Sequence, residues 1–339
     1  MNKTTIITGI TGASGPYLAQ LLCEDKHNTI YCIVRENSQR NFDFLDEFNL
    51  RNNIHIINAD ITDKSNITNI ISDIQPHEIY NLAAITNPGI SFKQPELTLD
   101  VNGMAVLHMM DAIRTFSPTT KFCQVSTSEI FSGDSSLLKS ETTPINPTSP
   151  YGASKAYAQN IVDIYRKAYG LFAVNMICFN HESPRRSNGA VTKKIVDFAK
   201  QYSKNRNGIC KLGNLNISRD WGDARSFVEG MYLAMQQDKY EDFVLGTGIT
   251  YTLRDFCIKT FQQIGIDGFH FVEDGINEKG IDAKGNILVE VDPTYYRPND
   301  PITKYAADAT KAYNILGWRN RLSLDQTIEW MLTNVYPTN

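Results

Sequence analysis

Two short stretches carry side chains able to move protons. In "SPYGASKAYAQNIV", Tyr151 and Lys155 are four residues apart, so both project from one face of a helix. A phenol with an ordinary pKa near 10 is a poor base at neutral pH, but an ammonium one turn away favours the phenolate and lets Tyr151 take a proton from an alcohol. Such a pair is also common on helix surfaces. This one gains meaning from "VSTSE" (125–129), where an apolar run stops at Val125 and gives way to hydroxyls and a carboxylate. Thr127 can hydrogen-bond the same substrate oxygen, and Glu129 points the same way if the strand geometry persists. A carboxylate there is either a cap for the next helix or a base. Moving a hydride needs no carboxylate, whereas removing the proton α to a newly made ketone does.

A third stretch supplies the setting. "TTIITGITGASGPYLAQLL" places Gly9, Gly12 and Gly15 between a strand and a helix. Residues without Cβ allow a pyrophosphate to approach backbone N–H groups, and the helix N-terminus behind them is a positive dipole end. The spacing is GxxGxxG, and a mere tight turn is the competing reading; the strand before and helix after favour a dinucleotide. Its nicotinamide cation would further favour the Tyr151 phenolate. The second strand ends "IVRENSQR": Arg35, with Ser38 and Arg40, suits the 2′-phosphate of NADP, while Glu36 facing the ribose would instead suit NAD. Asp60 closes the third strand as an adenine contact or as a helix N-cap.

The elements that must hold these residues alternate in period. "TTIIT", "TIYCIV", "IHIINAD", "EIYNLAA" (78–84) and "KFCQVS" read as buried strands, and the segments between them as helices, including one long helix over "LTLDVNGMAVLHMMDAIR". This is the pattern of an α/β doubly wound parallel sheet of the Rossmann type. Past Tyr151 a helix and the strand "FAVNMICF" continue it, then helices near 191–203 and 225–236 and a strand at "FVLG" follow. Residues 266–300 are rich in Gly, Asp and Pro and show no long periodic segment. The expected layout is a cofactor domain over 1–179, to which 224–248 and about 300–318 return, and a smaller, discontinuous mixed α/β substrate domain from 180–223 and 249–339.

With 339 residues, 42% of them hydrophobic and 21% charged, the chain has the composition of a globular protein. A net charge of −4 without a strongly basic stretch argues against nucleic acid. No apolar run reaches bilayer length, and the N-terminus is too short and polar for a signal peptide, so no membrane partner is expected. Six scattered cysteines, with no CxxC and no His pairing at metal spacing, read as free thiols in a reducing compartment, with the cytoplasm as default and no metal site.

With these residues in place, the chain resembles the extended short-chain dehydrogenase/reductases and, within them, the GDP-mannose 4,6-dehydratase family. The resemblance runs over nearly the whole chain through "GITGASG", "STSE", "YGASK", "FNHESPRR", "RDWGDA", "YYRP" and "DATKAYNILGW". It implies that Thr127, Glu129, Tyr151 and Lys155 are catalytic. NADP would be held by Gly9, Gly12, Gly15, Arg35, Asp60, Ile61, Leu82, Ala83, Tyr151, Lys155, His181 and Arg186. The GDP-sugar would meet Ser128, Asn180, Val191, Lys194, Arg219 and Arg297, with Asp300 where the family has a glutamate. Lys194, Arg219 and Arg297 make physical sense as cationic partners of a diphosphate. In tetrameric members the "SPRR" loop reaches a neighbour's cofactor, so a homodimer or homotetramer with the 183–192 loop at an interface is implied.

The implied reaction oxidises C4, eliminates water across C5 and C6 and returns the hydride to C6, with NADP resident throughout. Departures lie at "LAAITNPG", where Thr86, Asn87 and Pro88 replace the usual Ser-His-Val, and at "GASGPY" and "RENS". They leave GDP-manno-heptose as a rival substrate for the same mechanism. A 4-epimerase or 4-keto reductase on the same scaffold needs no carboxylate two after the threonine, so Glu129 argues against it.

Overall fold

The computed structural model describes residues 3–35, 42–296 and 305–337. β-Branched and aliphatic runs form seven strands paired in parallel, in the spatial order Phe243–Leu245, Ala173–Cys178, Lys121–Thr127, Glu78–Asn81, Lys3–Thr8, Asn28–Val34, Ile54–Asn58. Side chains alternate between two covered faces, as strands buried on both sides require. Ile6, Ile79 and Phe122 pack with the helices Lys64–Ile74, Ala105–Phe116 and Pro150–Tyr169. Their neighbours Ile7, Tyr80 and Cys123 pack on the opposite face with Leu18 of the helix Gly15–Leu22 and with Val228 and Met231 of the helix Ala224–Met235. Burying each such isoleucine contributes roughly 1.5–3 kcal/mol.

Strand order reverses between Lys3–Thr8 and Glu78–Asn81, which opens a crevice at their carboxyl ends, the usual ligand position in open α/β sheets. A buried polar ladder fixes these strand tips: Thr8 Oγ1 donates to Asn81 Oδ1 at 2.6 Å, and Asn81 Nδ2 donates to Gln124 Oε1 at 2.8 Å. Each member is satisfied, so the row sets register without leaving an unpaired group in the core.

The later part of the chain builds two smaller sheets. One has the order Thr250–Thr252, Ser218–Asp223, Asn180–Glu182, the other His270–Val272, Lys279–Ile281, Ile287–Val291, Cys210–Leu212. They share a separate core in which Ile195, Phe256, Phe261, Leu288 and Ile328 are buried. Among the described residues, no helix is long and apolar enough to cross a membrane, and all six cysteines are free.

Two expectations are corrected and one region gains detail. The fourth strand stops at Asn81. The long helix is divided into Pro95–Leu99, a π-turn over Asp100–Met104, and Ala105–Phe116. Among the described residues of 266–296, which hold no long periodic segment, three short strands exist, stabilised by pairing with one another and with Cys210–Leu212 rather than by any local period.

Candidate active site

The glycine loop is a close-packed cradle. Gly9 has φ +74°, and a Cβ on it would lie 2.7 Å from the Ala83 nitrogen and 2.8 Å from the Leu82 carbonyl carbon. A Cβ on Gly15 would lie 2.5 Å from the Gly9 oxygen, and the Gly12 N–H donates to that same oxygen at 3.0 Å. The loop therefore presses against Leu82 and Ala83 across the switch point. Ser14, the N-cap of the helix Gly15–Leu22, makes no side-chain capping bond, so the helix start faces the loop without a competing hydroxyl. A cradle that only glycine fits, ahead of a helix N-terminus, fits a dinucleotide pyrophosphate.

Arg35 is exposed just past the second strand, whereas Glu36, Ser38 and Arg40 lie outside the described residues. Asp60 accepts from the Thr62 N–H at 2.9 Å and the Thr62 hydroxyl at 2.8 Å. The capping alternative for Asp60 falls to Asp63, whose carboxylate accepts from the N–H groups of Ser65 and Asn66. Ile61 beside it is buried.

The proton-moving residues meet where the strand Lys121–Thr127 faces the helix Pro150–Tyr169. Tyr151 is 7% exposed, Lys155 3% and Thr127 8%. Burial pushes the Tyr151 phenol up to about 12; the Thr127 hydroxyl opposes this, Glu129 adds to it, and Arg186 opposes it. Lys155 is brought down to about 8 by burial, and its ammonium donates to the Val125 carbonyl at 2.8 Å. The lysine is thus anchored on the strand rather than on the phenol.

Glu129 reaches the site by a route the strand alternation does not provide. The strand ends at Thr127, and Ser128–Phe131 forms a 3-10 turn whose N-cap is Thr127, its hydroxyl accepting the Glu129 N–H at 3.3 Å. A Cβ on Gly152 would lie 2.8 Å from the Glu129 carbonyl oxygen, so glycine after Tyr151 is what lets helix and turn approach. The half-buried Glu129 carboxylate stands 3.9 Å from Arg219 Nη2, while Nη1 of the same guanidinium donates to its own strand at the Ser218 carbonyl, 2.8 Å away.

The remaining candidates flank this centre. His181 is stacked on Phe227 with ring centroids 4.6 Å apart, bonds the Phe179 carbonyl at 2.9 Å, and is pushed down to about 4 by burial and by Arg186. Asn180 opens the same short strand, and Val191 opens the helix Val191–Asn205. Lys194, one turn later, holds its ammonium 4.2 Å from the Tyr295 ring centroid. Arg297 and Asp300 lie outside the described residues. Within the chain, Arg185 pairs with Glu47 at 2.9 Å and Arg186 with Glu182 at 3.3 Å, so both guanidiniums of the "SPRR" loop are engaged by their own subunit.

Sequence reading passed over Tyr305. Its phenol is buried beside Ser128 and pushed up to about 12, chiefly by burial and then by Glu129, against Arg219 and the Ser128 hydroxyl. Nothing in "KYAAD" announces this, because the contact depends on the strand Ala306–Ala307 pairing with Leu138–Lys139. A cleft of about 570 Å³ lined by Trp221, Thr247, Tyr313, Trp318, Arg319 and Ser323 lies elsewhere, and none of the candidate residues lines it. The side-chain constellation, not this cleft, marks the site.

A glycine cradle at the switch point of a doubly wound sheet, with a buried Tyr and Lys one helical turn apart, defines an extended short-chain dehydrogenase/reductase. The solved structures similar to this chain share that fold: a UDP-glucose 4-epimerase from Thermotoga maritima, at TM-score 0.79 and 21% identity over 97% of both chains, and a dTDP-glucose 4,6-dehydratase from Bacillus anthracis, at TM-score 0.75 and 20% identity over 98% of this chain and 97% of that one. The model of the GDP-mannose 4,6 dehydratase family matches residues 6–331. A GDP-mannose 4,6-dehydratase from Sinorhizobium fredii is 41% identical over 95% of this chain and 93% of its own length. The Homo sapiens GDP-mannose 4,6 dehydratase is 40% identical over 97% and 90%. The chain belongs to the GDP-mannose 4,6-dehydratase family.

Proposed function

We propose that the chain converts GDP-mannose to its 4-keto-6-deoxy product with NADP as resident cofactor. The observation that carries this is the Glu129 carboxylate on the turn that Thr127 caps, at the same strand tip as the dehydrogenase pair and facing Arg219. The relatives' names support the hexose over its heptose analogue.

The cofactor, when bound at the glycine loop, supplies the hydride acceptor for C4 and the hydride donor for C6. The chain's residues do the rest. Thr127 holds O4 by a hydrogen bond and Tyr151 takes its proton. Burial pushes that phenol up to about 12, and the positive charge of a bound nicotinamide would favour its ionised form. Lys155 would hold the nicotinamide ribose. Oxidation at C4 acidifies C5–H, and Glu129 removes that proton. The C6–O bond then breaks, and Glu129 returns the proton to the leaving hydroxide. Once C6 has received its hydride, C5 takes up a proton from solvent and Tyr151 releases the one it took from O4, so that one water departs and no net oxidation occurs.

Exposed Arg35 favours NADP over NAD. Lys194 and Arg219, together with Arg297 and Asp300 by family position, are assigned to the GDP group, with Ser128, Asn180 and Val191 beside the sugar or base. A homodimer or homotetramer is assigned as the working assembly, with the exposed 187–189 tip of the 183–192 loop available to a neighbour.

The test is incubation of the purified protein with GDP-mannose deuterated at C4. A 4-keto-6-deoxy product carrying the label at C6 is expected. Loss of the label to added NADP, or no reaction, overturns the assignment.

A further inference from the structure

The peptide of Tyr151 is gripped on both sides by groups that the chemistry does not consume. Helices leave their first N–H groups without internal partners, and here three positions are met in three ways. Pro150 has no N–H, and the Gly152 N–H is capped at 3.0 Å by Ser149 Oγ, the local N-cap. The Tyr151 N–H, buried and out of reach of water, donates to Ser91 Oγ at 3.1 Å, from a residue sixty positions earlier in the chain. Ser91 is 0% exposed, and its own hydroxyl proton goes to the Pro88 carbonyl at 2.7 Å, so its lone pair is aimed at Tyr151.

The other side of the peptide leads back to the same place. The Tyr151 carbonyl accepts from Ser154 Oγ at 2.8 Å, and Ser154 Oγ accepts from Asn102 Nδ2 at 3.1 Å. Asn102 in turn pairs with Ile85 through its N–H at 2.8 Å and its carbonyl at 3.1 Å. Both ends of the catalytic peptide are therefore tied to one short segment, Ile85–Ser91. That segment includes Thr86, Asn87 and Pro88, and Asn87 starts the helix Pro88–Lys93 by accepting the Ile90 N–H at 3.2 Å.

Resting on the dehydratase reading above, we propose that Ser91 is a positioning residue for Tyr151. It caps the catalytic helix from outside and fixes where the phenol stands over O4. A misplacement of about 1 Å at a reacting group costs on the order of a hundredfold, so loss of this bond acts on C4 oxidation. Substrate affinity is left alone, and the Glu129 turn, which hangs from the strand Lys121–Thr127 and only abuts the helix at Gly152, is affected less.

Ser91→Ala and the hydroxyl-retaining Ser91→Thr test this in the full-length NADP-loaded protein. Ser91→Ala is expected to slow single-turnover formation of reduced cofactor from GDP-mannose by about tenfold or more. KM should stay within about twofold, and Ser91→Thr should recover most of the rate. Hydrogen exchange of the 150–154 peptide, which needs no substrate, is expected to quicken at least about tenfold in Ser91→Ala. An unchanged exchange rate overturns the proposal whatever the substrate. So does an oxidation rate equal to wild type, or a fall in all steps that merely tracks a lowered Tm and bound-NADP content. Failure of the wild type itself to convert GDP-mannose overturns the function reading instead, and exchange then decides Ser91 alone.

Discussion

Tyr151 and Glu129 stand at neighbouring corners of one site, and the fold holds them by different means. Tyr151 is 7% exposed on a regular twenty-residue helix, with its peptide N–H and carbonyl both hydrogen-bonded to buried side chains. Glu129 is half-buried on a single 3-10 turn, and its facing charge comes from Arg219, on a strand of a different sheet. The oxidation corner is thus finished within the large sheet and its helices. The elimination corner is completed only when the second sheet docks. Short 3-10 turns have weaker hydrogen bonds than α-helices, so this corner is also the easier one to reshape.

If the corners are separable, substitutions should fail at different steps. The largest effect falls on Tyr151→Phe, which removes the O4 base before anything else can happen. Turnover is expected to drop by about 10³–10⁴, with no reduced cofactor seen in a single turnover and with NADP content preserved. Glu129→Gln should lose about 10²–10³ in turnover but still oxidise C4, so that absorbance of reduced cofactor accumulates well ahead of the 4-keto-6-deoxy product. Reduced cofactor in the first variant, or wild-type product formation in the second, would break the comparison.

Arg219→Gln sharpens it. Both the guanidinium and its carboxylate are partly exposed and 3.9 Å apart, and such pairs are individually weak. About a tenfold loss in kcat/KM is expected, through a raised KM and slower exchange of solvent deuterium into C5, while C4 oxidation of bound substrate keeps its rate. An equal loss in oxidation would mean that Arg219 serves both corners.

What the sequence disclosed follows the same divide. The alternating strands, the glycine loop and the Tyr151–Lys155 spacing are periodic or local, so their placement could be read from residue types and intervals. For Glu129 the expected strand geometry does not hold, since the strand ends two residues before it and the turn capped by Thr127 carries it in. Ser91 and Tyr305 gave no sign, because each acts through a partner that only tertiary pairing supplies: the Tyr151 N–H for one, Ser128 for the other. The strands within 266–300 were missed likewise, being three to five residues long and defined by their neighbours.

The smallest expected effect belongs to the oxidation corner alone and is read in stability rather than rate. Burial brings Lys155 down from 10.5 to about 8 in the folded protein. Between those values the unfolded chain holds a proton that the folded chain has released, so folding stability gains from Lys155 as pH rises through that window. Lys155→Met has no such proton to lose. The stability of wild type minus that of Lys155→Met, from urea denaturation at a series of pH values, should be flat below about pH 8 and climb by on the order of 2–3 kcal/mol by about pH 10.5. Subtracting the variant cancels the tyrosines and cysteines that titrate over the same range. A flat difference would mean that Lys155 is solvated in the folded protein, and the contrast between a closed oxidation corner and an open elimination corner would then lose its electrostatic basis.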